Sequence, residues 1–215
     1  NKFIKKNRLN SKIIKIKKNS IKTKLNYIKN KLFLTQGNIQ NLSFVFAIIK
    51  KLNLNTKKTL NTINNFKGLK FRQEIIFKAK NLTIINDSKA TSFSSSENIL
   101  KSLKNVYWIL GGIPKKGDKF QMTRKECNSF KAYIFGNNKS FFIKNLRNKL
   151  AIQNFKNLKS ALKKVINDIR LSKSTINHKT ILFSPSAASF DSFRNFEDRG
   201  ENFNRLVQKL NLRKI

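Results

Sequence analysis

Residues 69–215 predict an α/β domain with a doubly wound, mainly parallel, Rossmann-like sheet, on three observations. From residue 71 onward, short β-branched or aromatic runs alternate with stretches of helical periodicity. The run at 82–85 (Leu-Thr-Ile-Ile) passes straight into a polar loop and then into a helix start, the βα order of such sheets. The loops after the runs ending near Ile85, Leu110 and Phe183 are the polar ones, and in this topology all three open on one sheet edge.

Taken in order, residues 12–16 and 24–28 read as two lysine-rich strands, followed by the short run 32–34. A helix from Asn38 or Asn41 to Leu52 buries Leu42, Val45, Phe46 and Ile49, and a second over 56–66 buries Leu60 and Ile63 and stops at Gly68. This is too little material for a closed domain, so residues 1–68 read as the tail of one, with a linker around 67–70. Runs 72–77 and 82–85 then predict a hairpin. Ser94-Ser95-Ser96-Glu97 is a capping-box pattern for a helix over 97–104 with Ile99, Leu100 and Leu103 on its apolar side. Beyond it the pattern gives a strand at 106–110, a Gly-Gly loop, a helix at 123–130 and a strand at 132–135. A helix at 139–148, a short strand near 151–152, a helix at 158–169, a strand at 180–183 and a last helix at 193–210 complete the order.

Composition narrows the class. With 39% hydrophobic residues in 215 the chain can bury a proper core, and it contains no apolar run near the ~20 residues that cross a bilayer. It opens on Asn1 rather than Met, and its first 18 residues are polar, basic and strand-like, unlike a signal peptide; a piece of a longer protein is expected. The single cysteine, Cys127, forms no internal disulfide and is too little for a zinc cluster, which points weakly to the cytoplasm. The formal charge of +37 suggests nucleic acid. However, lysine rises with Asn, Ile and Phe along the whole chain, as AT-rich codons would produce, and no nucleic-acid motif is present. Codon bias is the preferred reading; a basic nucleic-acid-binding module is the lesser alternative.

The three loops carry the chemistry. They are Asp87-Ser88-Lys89-Ala90-Thr91, the segment from Gly111 to Asp118, and the segment from Ser184 to Ser189. Lysines, hydroxyls, two aspartates and flexible backbone suit a phosphate and a small carboxylate. Gly112 and Gly117 have the spacing of a phosphate loop, but Asp118 and Lys119 stand where Lys and Ser or Thr are required, so it is not one. Asp87 taken alone could equally be a residue satisfying backbone N–H groups ahead of a helix. His178 has no partner by spacing and reads as a surface residue, and Cys127 as packing.

Five ordered segments together resemble the Mur ligases. They are Gly37-Asn38-Ile39-Gln40-Asn41, the run from Phe66 to Glu74, the run from Ile85 to Thr91, Leu110-Gly111-Gly112 with Lys115, and the run from Ser184 to Asp191 continued by Asn195 to Gly200. Asn-Asp-Ser-Lys-Ala-Thr and Asn-Phe-Glu-x-Arg-Gly are the most specific and point to the D-glutamate-adding branch. The resemblance implies that residues 1–68 end the central ATP-binding domain and residues 69–215 are the carboxy-terminal ligase domain. It implies an ATP-dependent amide ligase of peptidoglycan precursor synthesis that joins D-glutamate to UDP-N-acetylmuramoyl-L-alanine through an acyl phosphate. By motif, Asn38 and Asn41 would contact adenine, and Arg72, Asp87 and Lys89 the ribose and phosphates. Thr91 and Lys115 would hold one carboxylate of D-glutamate, and Ser189 with the backbone at Phe190 and Phe196 the other. Lys89 and Lys115 are the implied catalytic cations, and the Mg2+ ligands and phosphate loop are expected mainly upstream. A monomer is implied, and these 215 residues alone should turn over no ATP. The chain departs from the family at Gly37 and Phe71, where His is usual, and at Ile113, where an acid is common; Lys116 is an alternative to Lys115. Another Mur or folylpolyglutamate-type ligase remains the nearest competing reading.

Overall fold

The computed structural model describes residues 14–16, 20–34, 36–172 and 178–212. The chain divides after Gly68 into two units.

In the first unit, α1 (Lys22–Leu25) and a 3-10 turn (Lys31–Leu34) precede α2 (Gln36–Lys51) and α3 (Thr56–Asn65). Ile21, Ile28, Leu42, Phe46, Ile49 and Ile63 form its apolar cluster. The strand predicted at 24–28 is instead a helical turn. Ile21, Leu25 and Ile28 recur at helical spacing and all pack into that cluster, whereas a strand would turn alternate residues away. Of the strand predicted at 12–16, residues 12–13 lie outside the described residues and 14–16 have no regular structure. On α2 the predicted face holds except at Val45, which is exposed. Asn55 caps α3, its side chain accepting from the Lys58 amide.

The second unit comprises β1 (Glu74–Lys78), β2 (Leu82–Asn86), α4 (Phe93–Leu100), β3 (Val106–Gly111), β4 (Phe130–Phe135), α5 (Lys139–Leu146), β5 (Ala151–Phe155), α6 (Leu158–Leu171), β6 (Lys179–Phe183) and α7 (Phe196–Gln208). Its sheet has the order β1-β2-β6-β3-β4-β5, antiparallel only between β1 and β2. The last strand is therefore threaded between β2 and β3, in register Ile84 to Ile181 and Tyr107 to Ile181.

Side chains alternate across the sheet, and each set meets its own helices. Ile85, Trp108, Leu110, Ala132, Ile134 and Leu182 pack with α4 and α5 through Phe93, Leu100, Phe142 and Leu146. Ile84, Tyr107, Ile109, Tyr133, Ile181 and Phe183 pack with α6 and α7 through Leu162, Val165, Ile166, Phe203 and Val207. Helices on both faces of a mostly parallel sheet make the doubly wound α/β fold that the alternation predicts.

Three elements differ from their predicted form. Residues 124–129 make successive turns rather than a helix: Thr123 and Glu126 bond each other reciprocally, as at a helix start, but the chain enters β4 at Phe130 before a helix propagates. The helix after β2 starts at Phe93, capped by Ser92, whose hydroxyl accepts from the Ser95 amide. Glu97 serves no capping box; it accepts from the Gln121 amide of a distant loop. The last helix starts at Phe196, where the Asn195 side chain accepts from the Asp198 amide. Among the described residues no helix is long and apolar enough to cross a membrane.

Phe93 is fully buried and its ring meets Trp108, Phe120, Phe141 and Phe142. Phe93→Ala should lower the unfolding free energy of the second unit by about 3–5 kcal/mol in urea. Phe190→Ala, at a ring 71% exposed, should shift it by no more than about 0.5 kcal/mol.

Candidate functional site

Because β6 lies between β2 and β3, the loops that follow these three strands become neighbours at their carboxyl ends, where ligands bind in such sheets. Backbone bonds stitch them together. The Asp87 amide donates to the Phe183 carbonyl at 2.7 Å, and the Gly111 amide to that of Pro185 at 3.1 Å. Ile113 and Ala188 exchange a pair of bonds, both 2.9 Å. Gly112 takes φ +128°, and a β-carbon there would fall 2.3 Å from the Ala188 carbonyl oxygen. Only glycine lets these two loops approach so closely.

Beneath the loops runs a chain of buried hydroxyls. Ser96 on α4 bonds Ser184 at 2.7 Å and Ser186 at 2.6 Å, and the Ser184 hydroxyl donates to Asp87 Oδ2 at 2.8 Å. Trp108 Nε1 donates to the Ser184 carbonyl at 2.8 Å. Asp87 Oδ1 accepts the Gln73 amide at 3.1 Å. Burial pushes the Asp87 carboxyl up to about 6, against the opposing pull of Ser184, the Gln73 amide and the Arg72 charge.

The second unit brings most of the sequence-predicted residues together. Arg72 is exposed but close enough for its charge to act on Asp87. Lys89 is half-buried, its amide donating to the Phe71 carbonyl at 3.0 Å and its Nζ lying 3.6 Å from the centre of the Phe196 ring. Thr91 is half-buried just ahead of Ser92, the cap of α4. Lys115 and Lys116 are both exposed on the β3 loop, where the Asp118 amide donates to the Lys115 carbonyl. Ser189 is buried, while the Phe190 ring points outward. Phe196 opens α7, so its N–H is among the helix-start donors that favour an anion. Asn38 and Asn41 belong to the first unit, one turn apart on α2, where Asn41 Nδ2 approaches Asn38 Oδ1 at 3.5 Å. Asp118, in the loop with phosphate-loop spacing, accepts the Phe93 amide at 2.7 Å and so orients α4. His178 bridges Thr83 and the Lys80 carbonyl at the opposite end of the sheet.

Sequence reasoning assigned no role to Arg199. It is 1% exposed, with Nε donating to the Ser88 hydroxyl at 3.1 Å and Nη2 to the Ser88 carbonyl at 2.7 Å. Its Nη1 and Asp191 Oδ2 are both buried without a hydrogen-bond partner among the described residues. Burial pushes the Arg199 guanidinium down to about 10, and Asp191 opposes that shift. The signal was periodicity: Arg199, Gly200, Phe203 and Val207 form one buried stripe of α7. Among the described residues no three His, Cys, Asp or Glu side chains gather to hold a metal ion.

The raised Asp87 pKa has a definite sign in stability. The native state holds the Asp87 proton more tightly than the unfolded chain, so the buried charge costs stability above pH ~6 and the cost fades as pH falls toward ~4. Urea denaturation should show the unaltered protein losing up to about 3 kcal/mol relative to Asp87→Asn as pH rises across that window. A flat difference would mean that Asp87 titrates normally.

No family model matches the chain. It is 37% identical over 180 residues to the UDP-N-acetylmuramoylalanine–D-glutamate ligase of Wolbachia sp. subsp. Brugia malayi (strain TRS), covering 84% of this chain and 35% of that protein. It is 35% identical to that of Rickettsia conorii over 82% of this chain and 35% of the relative. With that of Prochlorococcus marinus (strain MIT 9312) it shares 36% identity over 80% of this chain and 37% of the relative. The chain thus spans little more than a third of the length of these relatives. In structure it is similar to UDP-N-acetylmuramate-alanine ligase MurC from Thermotoga maritima, with TM-score 0.53 and 16% identity over 81% of this chain and 38% of that one, a likeness of fold.

Proposed function

We propose that this chain, which belongs to the Mur ligase family, serves a ligase that joins D-glutamate to UDP-N-acetylmuramoyl-L-alanine at the expense of ATP, a cytoplasmic step of peptidoglycan precursor synthesis. Residues 69–215 are its carboxy-terminal ligase domain and residues 1–68 the tail of its ATP-binding domain. The observation that carries this reading is the meeting of two loops at one sheet edge. The Ser184 hydroxyl bonds Asp87, which places the Asp87–Lys89 loop beside the loop of Ser189 and Phe190. The first loop suits a phosphate and the second a carboxylate.

The reaction transfers the terminal phosphoryl group of ATP to the carboxylate of UDP-N-acetylmuramoyl-L-alanine. The amine of D-glutamate then attacks the acyl phosphate, forming the amide and releasing phosphate. Arg72, Asp87 and Lys89 meet the ribose and phosphates of the nucleotide, with the two cations screening its negative charge. Asn38 and Asn41 meet adenine. Thr91 and Lys115 hold one carboxylate of D-glutamate; Ser189, with the backbone at Phe190 and Phe196, holds the other. A flexible lysine and short hydroxyls suit a dianionic amino acid whose amine must be held for attack, so positioning and electrostatics supply the rate. Mg2+ would be held mainly by residues outside this chain, and the ligase acts as a monomer.

ADP release by the full-length protein, with UDP-N-acetylmuramoyl-L-alanine present, should require D-glutamate and not respond to L-glutamate, L-alanine or L-lysine. The 215-residue chain alone should release none. No release from the full-length protein, or release with another amino acid, would favour another Mur or folylpolyglutamate-type ligase.

Lys115→Ala should raise the KM for D-glutamate about 10- to 100-fold, as for a charge-assisted bond of about 1.5–3 kcal/mol. Lys116→Ala should leave it nearly unchanged in the same assay. The reverse outcome would reassign the contact to Lys116.

A further inference from the structure

Ser88 is fully buried between Asp87 and Lys89, and its polar groups point at α7. Its hydroxyl donates to the Phe196 carbonyl at 2.8 Å while accepting Arg199 Nε at 3.1 Å, and its carbonyl accepts Arg199 Nη2 at 2.7 Å. Two residues upstream, the Asn86 side chain donates to the Gly200 carbonyl at 3.0 Å and to Asn204 Oδ1 at 2.7 Å. One residue downstream, Lys89 rests on the Phe196 ring. Three of the four residues from Asn86 to Lys89 thus contact the first three turns of α7.

The chemistry of Arg199 makes this arrangement unusual. A guanidinium removed from water ordinarily pairs with a carboxylate, because desolvation costs several kcal/mol. Among the described residues Arg199 forms no ion pair. Two of its nitrogens are spent on the hydroxyl and carbonyl of one serine, and the third lies 3.2 Å from where a β-carbon of Gly112 would sit. Its side chain therefore underlies the β2, β3 and β6 loops together. Sub-ångström displacement of the Asp87–Lys89 loop must stretch three bonds that end on Phe196 or Arg199, since a close-packed interior does not deform continuously.

We propose that Ser88 and Arg199 are positioning residues that couple the nucleotide loop to the amino-acid clamp, so that nucleotide on Asp87 and Lys89 orders the 187–199 segment for D-glutamate. The coupling rests on the ligase reading above, which assigns those two loops their ligands. By linkage it acts equally in both directions: whatever ordering nucleotide gives the clamp, the amino acid returns to the nucleotide loop.

Hydrogen–deuterium exchange on the full-length protein tests it, with and without saturating ADP, for the unaltered protein, Ser88→Ala and Arg199→Lys. Lysine keeps the charge of Arg199 but lacks the planar fork whose two nitrogens reach the hydroxyl and the carbonyl of Ser88. ADP should slow exchange at residues 86–91 in all three proteins. At residues 187–199 it should slow exchange about fivefold or more in the unaltered protein only. A merely structural role would raise exchange at 187–199 with and without ADP alike, leaving the ADP effect intact, and that result overturns the coupling. If ADP fails to protect 86–91 in the unaltered protein, the nucleotide-site reading itself is overturned, and the coupling with it. Should Ser88→Ala fail to fold, Arg199→Lys decides alone.

Discussion

The hydroxyl of Ser184 occupies the point where three loops meet, and its bonds set their arrangement. It lies directly after β6, the strand inserted last between β2 and β3. A polar group buried there must find partners or cost a few kcal/mol. It donates to Asp87 on one side and meets Ser96 of α4 on the other, while its carbonyl accepts Trp108 of β3. The Asp87 carboxylate in turn fixes the Gln73 amide ahead of β1. Through one serine, strands β2, β3 and β6 and helix α4 are held in the register that places Lys89 and Ser189 on the same rim.

That rim is held from below by a rigid sheet. β2 and β3 are buried along their whole length, and β6 along all but its first residue. Each face of the sheet is covered by two helices. Close-packed interiors leave the strand ends little freedom, so the loops inherit fixed anchor points. The polar network then needs to order only short spans of backbone. Exposure rises where ligands would approach: Arg72, Lys115 and Phe190 face outward, whereas Ser88, Ser184 and Arg199 do not.

Much of this was legible in the sequence because two periodicities dominate it. The strands of the second unit and the helices at 139–148 and 158–169 appear where the apolar pattern places them, within a few residues. The meeting of the three loops followed from topology once those strands were placed. What escaped detection depends on tertiary partners. Ser92 rather than the Ser94–Glu97 run caps α4, because Glu97 is drawn to the Gln121 amide, which sequence spacing cannot show. At 123–130 Thr123 and Glu126 do form a helix-start pairing, but β4 begins at Phe130 before a helix propagates, a limit set by the sheet that periodicity does not show. At 24–28 the lysines concealed a helical spacing of Ile21, Leu25 and Ile28. Arg199 stayed hidden because a charged residue on a helix is ordinarily solvated, and only its position on the buried stripe of α7 argues otherwise.

Gly200 sits against the flat side of Phe71, and a β-carbon there would fall 2.3 Å from the ring. Phe71 itself takes φ +60°, its amide tied to Glu74 and its carbonyl to Lys89. The polypeptide is thus clamped to α7 almost as soon as the second unit begins. Residues 71–74 therefore belong to the packed body of the second unit, and the β2 loop, the start of α7 and the first strand share one anchor point.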